Sequence, residues 1–240
     1  MSKPKMIIFD AGRTLLDYAS IDTQKGVKAL LPYITENPLN LSIAEIDQRM
    51  DEIAASFDAC KKQLFEVPEQ TILTLTFNLL QLKFSIDVSE IERILWNTVP
   101  EIVPTPHARE ILDLLNEMGI QTAVISNLDF SGSLLAERLN KLYPNNQFRF
   151  VIASSDYGIR KPNPFIFEAG IAKSGFDASD IWYVGDKIPV DVKGSSSVGM
   201  TPVLFKCPRN HYDPIPEGLK TMDDFLDLIT LVNAENGYAT

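Results

Sequence analysis

The feature that most constrains the fold of this chain is an alternation of apolar segments and amphipathic helical patterns from about residue 103 onward. Short apolar runs predict strands at 122–125, 150–153, 181–184 and 202–205. Helical spacing of apolar residues predicts helices at 111–118, at 134–142, after Pro164 and around 222–229. Strands that alternate with helices in this way form a parallel sheet covered by helices on both faces.

A further apolar strand is predicted near the N-terminus, at 6–9, with Gly12 ending it. About 80 residues separate it from the rest of the alternation, which is too long for a loop without structure of its own. The sheet domain is therefore interrupted by a packed insertion. We place the sheet domain at 1–17 and 103–240 and the insertion at 18–102.

The insertion has a helical pattern. Ser42 and Glu45 form a capping box, and the apolar stripe that follows runs from Ile43 to Leu64, which predicts one continuous helix of some six turns. Ser89 and Glu92 form a second capping box. The segment 72–82 alternates like a strand in part, but its length and its neighbours favour a buried helix.

Charge and cysteine content narrow the class of protein. The formal net charge is −10, which argues against a nucleic-acid partner and against anchoring on an anionic membrane. No segment has the ~20 apolar residues of a membrane span, and the N-terminus does not fit a secretory signal. Cys60 and Cys207 match no metal-binding spacing and are expected to be reduced thiols. We expect a cytoplasmic protein.

Polar residues lie at the predicted carboxyl ends of several strands, where sites gather in sheets of this kind. Asp10 ends the first strand, Ser126 and Asn127 end the second, and Asp186 follows another, while Lys161 precedes a predicted helix. Paired carboxylates suit Mg²⁺, a lysine and a hydroxyl suit phosphate, and an aspartate is able to act as a nucleophile. The residues indicate metal-assisted phosphoryl chemistry.

Four motifs in chain order resemble those of the haloacid dehalogenase-like hydrolase superfamily. They are FDAGRTL at 9–15, VISN at 124–127, KPNP at 161–164, and VGD at 184–186 with Asp191 five residues later. The resemblance is to the branch that has a helical cap inserted after the first motif. It implies an α/β fold with a Rossmann-like parallel-sheet core and an inserted α-helical cap domain.

The resemblance implies catalytic and metal-binding roles. Asp10 is the expected nucleophile, and its other oxygen, Asp186 and the backbone carbonyl of Gly12 are the expected ligands of Mg²⁺. Asp191 is expected to support the metal or to orient Lys161. Lys161 is expected to neutralise charge on Asp10 and on the transferred group, because clustered donors stabilise phosphoryl transfer electrostatically.

The resemblance also implies substrate-binding roles. Ser126 and the backbone at Asn127, together with Lys161, are expected to hold phosphate oxygens, and Thr14 is expected to help position the loop. Arg13 either contacts the phosphate or points to solvent. The expected ligand is a small phosphorylated metabolite, and the expected state is a monomer or homodimer.

The chain departs from the pattern at Gly12, where the family's phosphatases carry the aspartate that protonates the leaving group. General acid–base catalysis contributes about 10²–10⁴-fold. Asp17 or a bound water is a possible substitute. Three alternatives stay open: a dehalogenase, a phosphonatase-type hydrolase using a cap lysine such as Lys61 or Lys62, and a non-catalytic binding or regulatory member. The leading hypothesis is a Mg²⁺-dependent phosphatase acting through an aspartyl-phosphate.

Overall fold

The computed structural model describes residues 3–212 and 214–234. The strands are β1 (Met6–Phe9), β2 (Leu16–Ile21), β3 (Ile34–Glu36), β4 (Lys83–Phe84), β5 (Pro100–Pro104), β6 (Gln121–Ser126), β7 (Phe148–Ala153), β8 (Ile181–Gly185), β9 (Thr201–Phe205) and β10 (Lys220–Met222). The α-helices are α1 (Thr23–Leu30), α2 (Ile43–Ser56), α3 (Asp58–Lys62), α4 (Glu69–Leu79), α5 (Val88–Thr98), α6 (Ala108–Glu117), α7 (Gly132–Leu142), α8 (Ser154–Tyr157), α9 (Pro164–Ser174), α10 (Lys193–Ser197) and α11 (Leu226–Ala234).

Six strands form one parallel sheet in the order β10-β9-β8-β1-β6-β7. The first strand lies in the middle because all four of its side chains are apolar and fully buried. Ile7 and Phe9 pack into the core on one face of the sheet, and Met6 and Ile8 pack into the core on the other. This arrangement confirms the predicted α/β fold with a parallel sheet covered on both faces.

Helices α1 to α5 occupy the chain between β2 and β5, which pair as a two-stranded antiparallel ribbon. These helices have a core of their own, formed by Val27, Leu30, Ile46, Leu73, Phe77, Leu80, Leu82, Ile91 and Leu95. We call the helical segment between the two ribbon strands the insert. The predicted domain junctions at 17/18 and 102/103 fall inside the ribbon, and the division into two domains stays a prediction.

The predicted six-turn helix is wrong in one respect. It breaks at Phe57, so that α2 and α3 are separate helices, and Leu64 adopts a left-handed backbone with a φ of 65°. The chain then pairs with the sheet domain, because Phe65 forms an isolated bridge with Ile159. The apolar stripe continues through the break and therefore does not reveal it. The helix predicted over 72–82 is confirmed as α4.

Two smaller expectations also change. The capping box at Ser89 and Glu92 is wrong, because Asp87 caps α5 and accepts the backbone N–H of Glu90 at 2.9 Å. Met222 belongs to β10 and not to the last helix. Cys60 and Cys207 are both free thiols, as expected. Across residues 3–212 and 214–234, every helix is too short or too polar to span a lipid bilayer.

Candidate active site

Asp10 lies directly after the central strand β1, at the carboxyl edge of the sheet. Its backbone N–H donates to the carbonyl of Val184 at 2.8 Å, which continues the strand pairing by one residue. The neighbouring strands end beside it, β6 at Ser126 and β8 at Gly185. The sheet order therefore places the predicted nucleophile between the second and the fourth motif.

Three buried carboxylates meet at this edge. Asp10, Asp186 and Asp191 each offer an oxygen atom, and these atoms lie within 4.8 Å of one another. Asp186 follows β8, and Asp191 lies in the π-helical turn Ile188–Val192. Within the described residues, the buried Oδ1 of Asp186 has no hydrogen-bond partner. Apposed carboxylates and an unpaired carboxylate oxygen in a buried position fit a hard divalent cation, which binds oxygen ligands.

Lys161 is buried within this group of carboxylates. Its Nζ donates to Asp10 Oδ1 at 2.6 Å, to Asp191 Oδ1 at 2.7 Å and to the hydroxyl of Tyr183 at 2.7 Å. Tyr183 in turn donates to the carbonyl of Ile125 at 2.9 Å. The three ammonium protons are all used, so the side chain is held in one position beside the predicted nucleophile.

Asn127 fixes the backbone of Lys161. Its Oδ1 accepts the Lys161 N–H at 2.7 Å, and its Nδ2 donates to the Lys161 carbonyl at 2.9 Å. The side chain of Asn127 therefore positions the loop that carries Lys161. Only the backbone of Asn127 is left for the phosphate contact expected from the resemblance. Ser126 lines the same cavity from the end of β6.

The pKa values of these groups are set by burial and by the charged groups next to them. Burial raises the pKa of Asp10 to about 7; Lys161 opposes this shift, and Asp191 and Asp186 add to it. Burial and then Asp191 raise the pKa of Asp186. Burial by itself lowers the pKa of Lys161, but Asp10 and Asp191 outweigh burial and hold that pKa well above its ordinary value. The lysine is therefore a permanent cation, and a further positive charge would favour ionised carboxylates.

Asn210 is a polar contact of the site that no sequence motif indicates. Its Nδ2 donates to Asp186 Oδ2 at 2.6 Å and to the Asp186 carbonyl at 3.1 Å. Its Oδ1 accepts from Arg13 Nη1 at 3.2 Å. Arg13 has a left-handed backbone with a φ of 62°, which is uncommon for a residue other than glycine. The loop after β9 thus connects the first and the fourth motif.

A cavity of about 630 Å³ opens over these groups and is lined by residues at the edge of the sheet and by residues of the insert. Asp10, Gly12, Arg13 and Tyr18 line it from the first motif and the ribbon. On the side of the insert it is lined by Asp58, Lys61, Lys62 and Leu64. Most of the predicted site residues therefore meet around one cavity, and the insert supplies part of its wall.

Two predicted residues lie elsewhere. Thr14 is fully buried and is not part of the cavity wall, so its placement suits a role in the loop and not a substrate contact. Asp17 lines a separate cavity with Thr105 and Phe205 and pairs with Arg209 at 3.2 Å. Asp17 is therefore not among the residues that line the cavity next to position 12.

Two glutamates of the insert form hydrogen bonds with residues outside the insert. Glu66 accepts from Arg160 Nη1 at 2.8 Å and from the Ser154 hydroxyl at 2.6 Å. Glu92 accepts the backbone N–H of Ser131 at 2.7 Å, just before α7. Both carboxylates are buried. These contacts connect residues far apart in the chain, and no local pattern predicts them.

The fold is a parallel α/β sheet with an aspartate directly after its central first strand and two further buried carboxylates beside it. The sequence profile of haloacid dehalogenase-like hydrolases matches residues 7–205, and the chain belongs to this family. The resemblance stated from the four motifs is thereby confirmed.

Several curated relatives are similar to about half of this chain. A glyceraldehyde 3-phosphate phosphatase of Pyrococcus abyssi is 29% identical over 135 residues, which are 55% of this chain and 56% of that protein. The chain spans about half the length of the curated relatives that it matches first.

Solved structures share the fold over nearly the whole chain. A 2-haloacid dehalogenase from Pseudomonas syringae has a TM-score of 0.65 and 19% identity, with 98% of this chain and 99% of that chain covered. A HAD phosphatase from Thermococcus onnurineus has a TM-score of 0.62 and 20% identity at the same coverage. At these identities the likeness concerns the fold alone.

Proposed function

We propose that this protein is a Mg²⁺-dependent phosphatase of a small phosphorylated metabolite and that Asp10 is its nucleophile. The observation that carries the proposal is the group formed by Asp10, Asp186, Asp191 and Lys161, in which Lys161 bonds two carboxylates and Asp186 Oδ1 stays unpaired. The name of the relative from Pyrococcus abyssi supports the same activity.

In this proposal Asp10, Asp186, Asp191 and the carbonyl of Gly12 hold the metal. The bound cation supplies positive charge, which lowers the repulsion between the nucleophile and an anionic phosphoryl group. An Asp10 oxygen attacks phosphorus, the ester bond breaks, and water then hydrolyses the aspartyl-phosphate. Lys161 stays bonded to Asp10 and directs the carboxylate toward the cavity.

Phosphate binding is assigned to the residues that line the cavity beside Asp10. Ser126 and the backbone of Asn127 take phosphate oxygens at the end of β6, and the Lys161 ammonium offsets their charge. The exposed Arg13 side chain lines the same cavity and is assigned to the outer part of the substrate.

The test is phosphate release from a broad panel of phosphorylated metabolites, with Mg²⁺ and with EDTA. We expect release that needs the metal and that Asp10→Asn abolishes. Asp113→Asn on α6 is the matched control, because it makes the same change far from the cavity. Release that persists in EDTA, or that survives Asp10→Asn, contradicts the proposal, as does the absence of release from the whole panel.

One observation favours a second candidate, a phosphonatase-type hydrolase that forms a Schiff base. Gly12 is a small residue, and Lys61 and Lys62 both line the cavity from the insert. Lys61 lies 3.7 Å from Asp129, whereas no ion pair is found for Lys62 within the described residues. Trapping of a phosphonoaldehyde on the protein by borohydride, absent in Lys62→Met, would replace the first proposal with this one.

A further inference from the structure

The space beside Gly12 is occupied by the side chain of Tyr18. A Cβ atom built at position 12 would lie 3.5 Å from the Tyr18 hydroxyl and 3.7 Å from Cε2 of its ring, which is ordinary van der Waals contact. A side chain at position 12 would therefore begin next to the Tyr18 hydroxyl. The Tyr18 hydroxyl therefore lies next to position 12, where the family's phosphatases have the aspartate that donates a proton.

Tyr18 is held in place but its hydroxyl is free. The residue lies on β2, its N–H donates to Asp17 Oδ1 at 2.8 Å, and its carbonyl accepts from Arg209 at 3.2 Å. The half-buried phenol lines the cavity that contains Asp10. Within residues 3–212 and 214–234, no hydrogen bond is formed by the hydroxyl itself. A positioned and unpartnered donor in the cavity is available to a substrate.

We propose that Tyr18 is the catalytic proton donor and acceptor that replaces the carboxylate missing at position 12. The assignment rests on the proposed phosphatase function. It goes beyond that function because it names the group that the leaving alcohol and the attacking water both use.

The proton and the electrons balance over the two half-reactions. In the first, Asp10 bonds to phosphorus, the ester P–O bond breaks, and the leaving oxygen takes the Tyr18 O–H proton to become an alcohol. In the second, a water oxygen bonds to phosphorus, its proton passes to the Tyr18 phenolate, and the Asp10–phosphorus bond breaks. The products are the alcohol and hydrogen phosphate, and both side chains return to their starting states.

The other acids near the cavity suit this role less well. Asp17 faces a different cavity, as described above. Asp58 lines the Asp10 cavity, but it lies on α3 of the insert and its side chain is exposed. Among the described residues that line this cavity, Tyr18 alone combines a hydroxyl that forms no hydrogen bond with a position next to Gly12. Asp58→Asn is therefore the natural comparison variant.

The experiment is rapid-quench kinetics of Tyr18→Phe with an alkyl phosphate and with p-nitrophenyl phosphate. Loss of the donor should lower alkyl phosphate turnover by about 10²–10⁴-fold. p-Nitrophenolate leaves without a proton, so Tyr18→Phe should release about one equivalent rapidly and then turn over slowly, with the aspartyl-phosphate accumulating. Tyr157→Phe, an exposed tyrosine on α8 outside the cavity, is the control.

The outcomes are distinct. A burst with the aryl ester together with loss of the alkyl ester supports the assignment, and so does recovery of alkyl turnover in Tyr18→Phe/Gly12→Asp. Alkyl turnover within a few-fold of wild type, loss of aryl turnover without a burst, or the burst pattern in Asp58→Asn instead overturns it. If the wild-type protein turns over no phosphoester, the proposed function fails and the tyrosine assignment fails with it.

Discussion

Replacing Asn210 by alanine should weaken Mg²⁺ binding without touching any proposed ligand. The substitution removes a charge-assisted hydrogen bond of 2.6 Å to Asp186 Oδ2 and a hydrogen bond of 3.1 Å to the Asp186 carbonyl. It also removes the Asn210 oxygen that accepts a hydrogen bond from Arg13. Asp186 Oδ1 has no hydrogen-bond partner in the described part of the chain and is available for a cation, and the bond to Oδ2 fixes the direction of the carboxylate.

The size of the effect follows from the bond that is lost. A hydrogen bond to a charged group contributes about 1.5–3 kcal/mol, and 1.36 kcal/mol corresponds to a tenfold change in an equilibrium constant. The dissociation constant for Mg²⁺ should therefore rise about 10–100-fold, the range typical when a residue that supports a metal ligand is replaced.

The assay is isothermal titration of EDTA-stripped protein with MgCl₂, in parallel with the metal-dependent rise in melting temperature. Asn145→Ala, an exposed asparagine outside the cavity, is the matched control and should bind as the wild type does. A folded Asn210→Ala protein with Mg²⁺ affinity within twofold of wild type would show that Asn210 does not orient Asp186, and the reasoning would fail.

Two stability predictions concern the insert. Burial, Asp129 and Glu92 raise the pKa of Glu69 to about 8 from 4.5, so the folded state disfavours its charged form. The free energy of unfolding of Glu69→Gln, measured by urea denaturation, should equal that of wild type below about pH 4.5. It should exceed the wild-type value increasingly as the pH rises, and the difference should become constant above about pH 8. The same difference at every pH would contradict this. A Cβ at Gly26 would lie 2.4 Å from Val99 Cγ2, so Gly26→Ala should cost about 1–3 kcal/mol in urea denaturation, and a net gain in stability would refute the packing argument.

The sheet was predictable because its strands are buried on both faces and leave a local signal. Each residue of β1 is apolar, and the carboxylates that end β1 and β8 follow directly in the sequence. The parallel arrangement then brings Asp10 and Asp186 to one edge. This part of the candidate site needs only strand ends and chain order.

The rest was not predictable because it depends on contacts with no periodic signal. Asn210 lies in a loop, and its partner Arg13 is 197 residues away. Tyr18 lies on a short ribbon whose alternation is too weak to be recognised as a strand. The sequence does not distinguish the cap of α5, because Asp87 and Ser89 both suit that position; in the structure Ser89 donates to Asp87 at 2.6 Å.

The contacts of Glu66 and Arg160 show how the insert is connected to Lys161, the lysine proposed to act in catalysis. Glu66 belongs to the insert and bonds Arg160, the residue before Lys161. The backbone N–H of Arg160 also donates to the carbonyl of Leu64 in the insert at 3.0 Å. The loop that carries Lys161 is thus fixed by the insert on one side and by Asn127 on the other. Because transition-state stabilisation depends on preorganised charge, the insert supports the position of the Lys161 ammonium as well as covering the cavity.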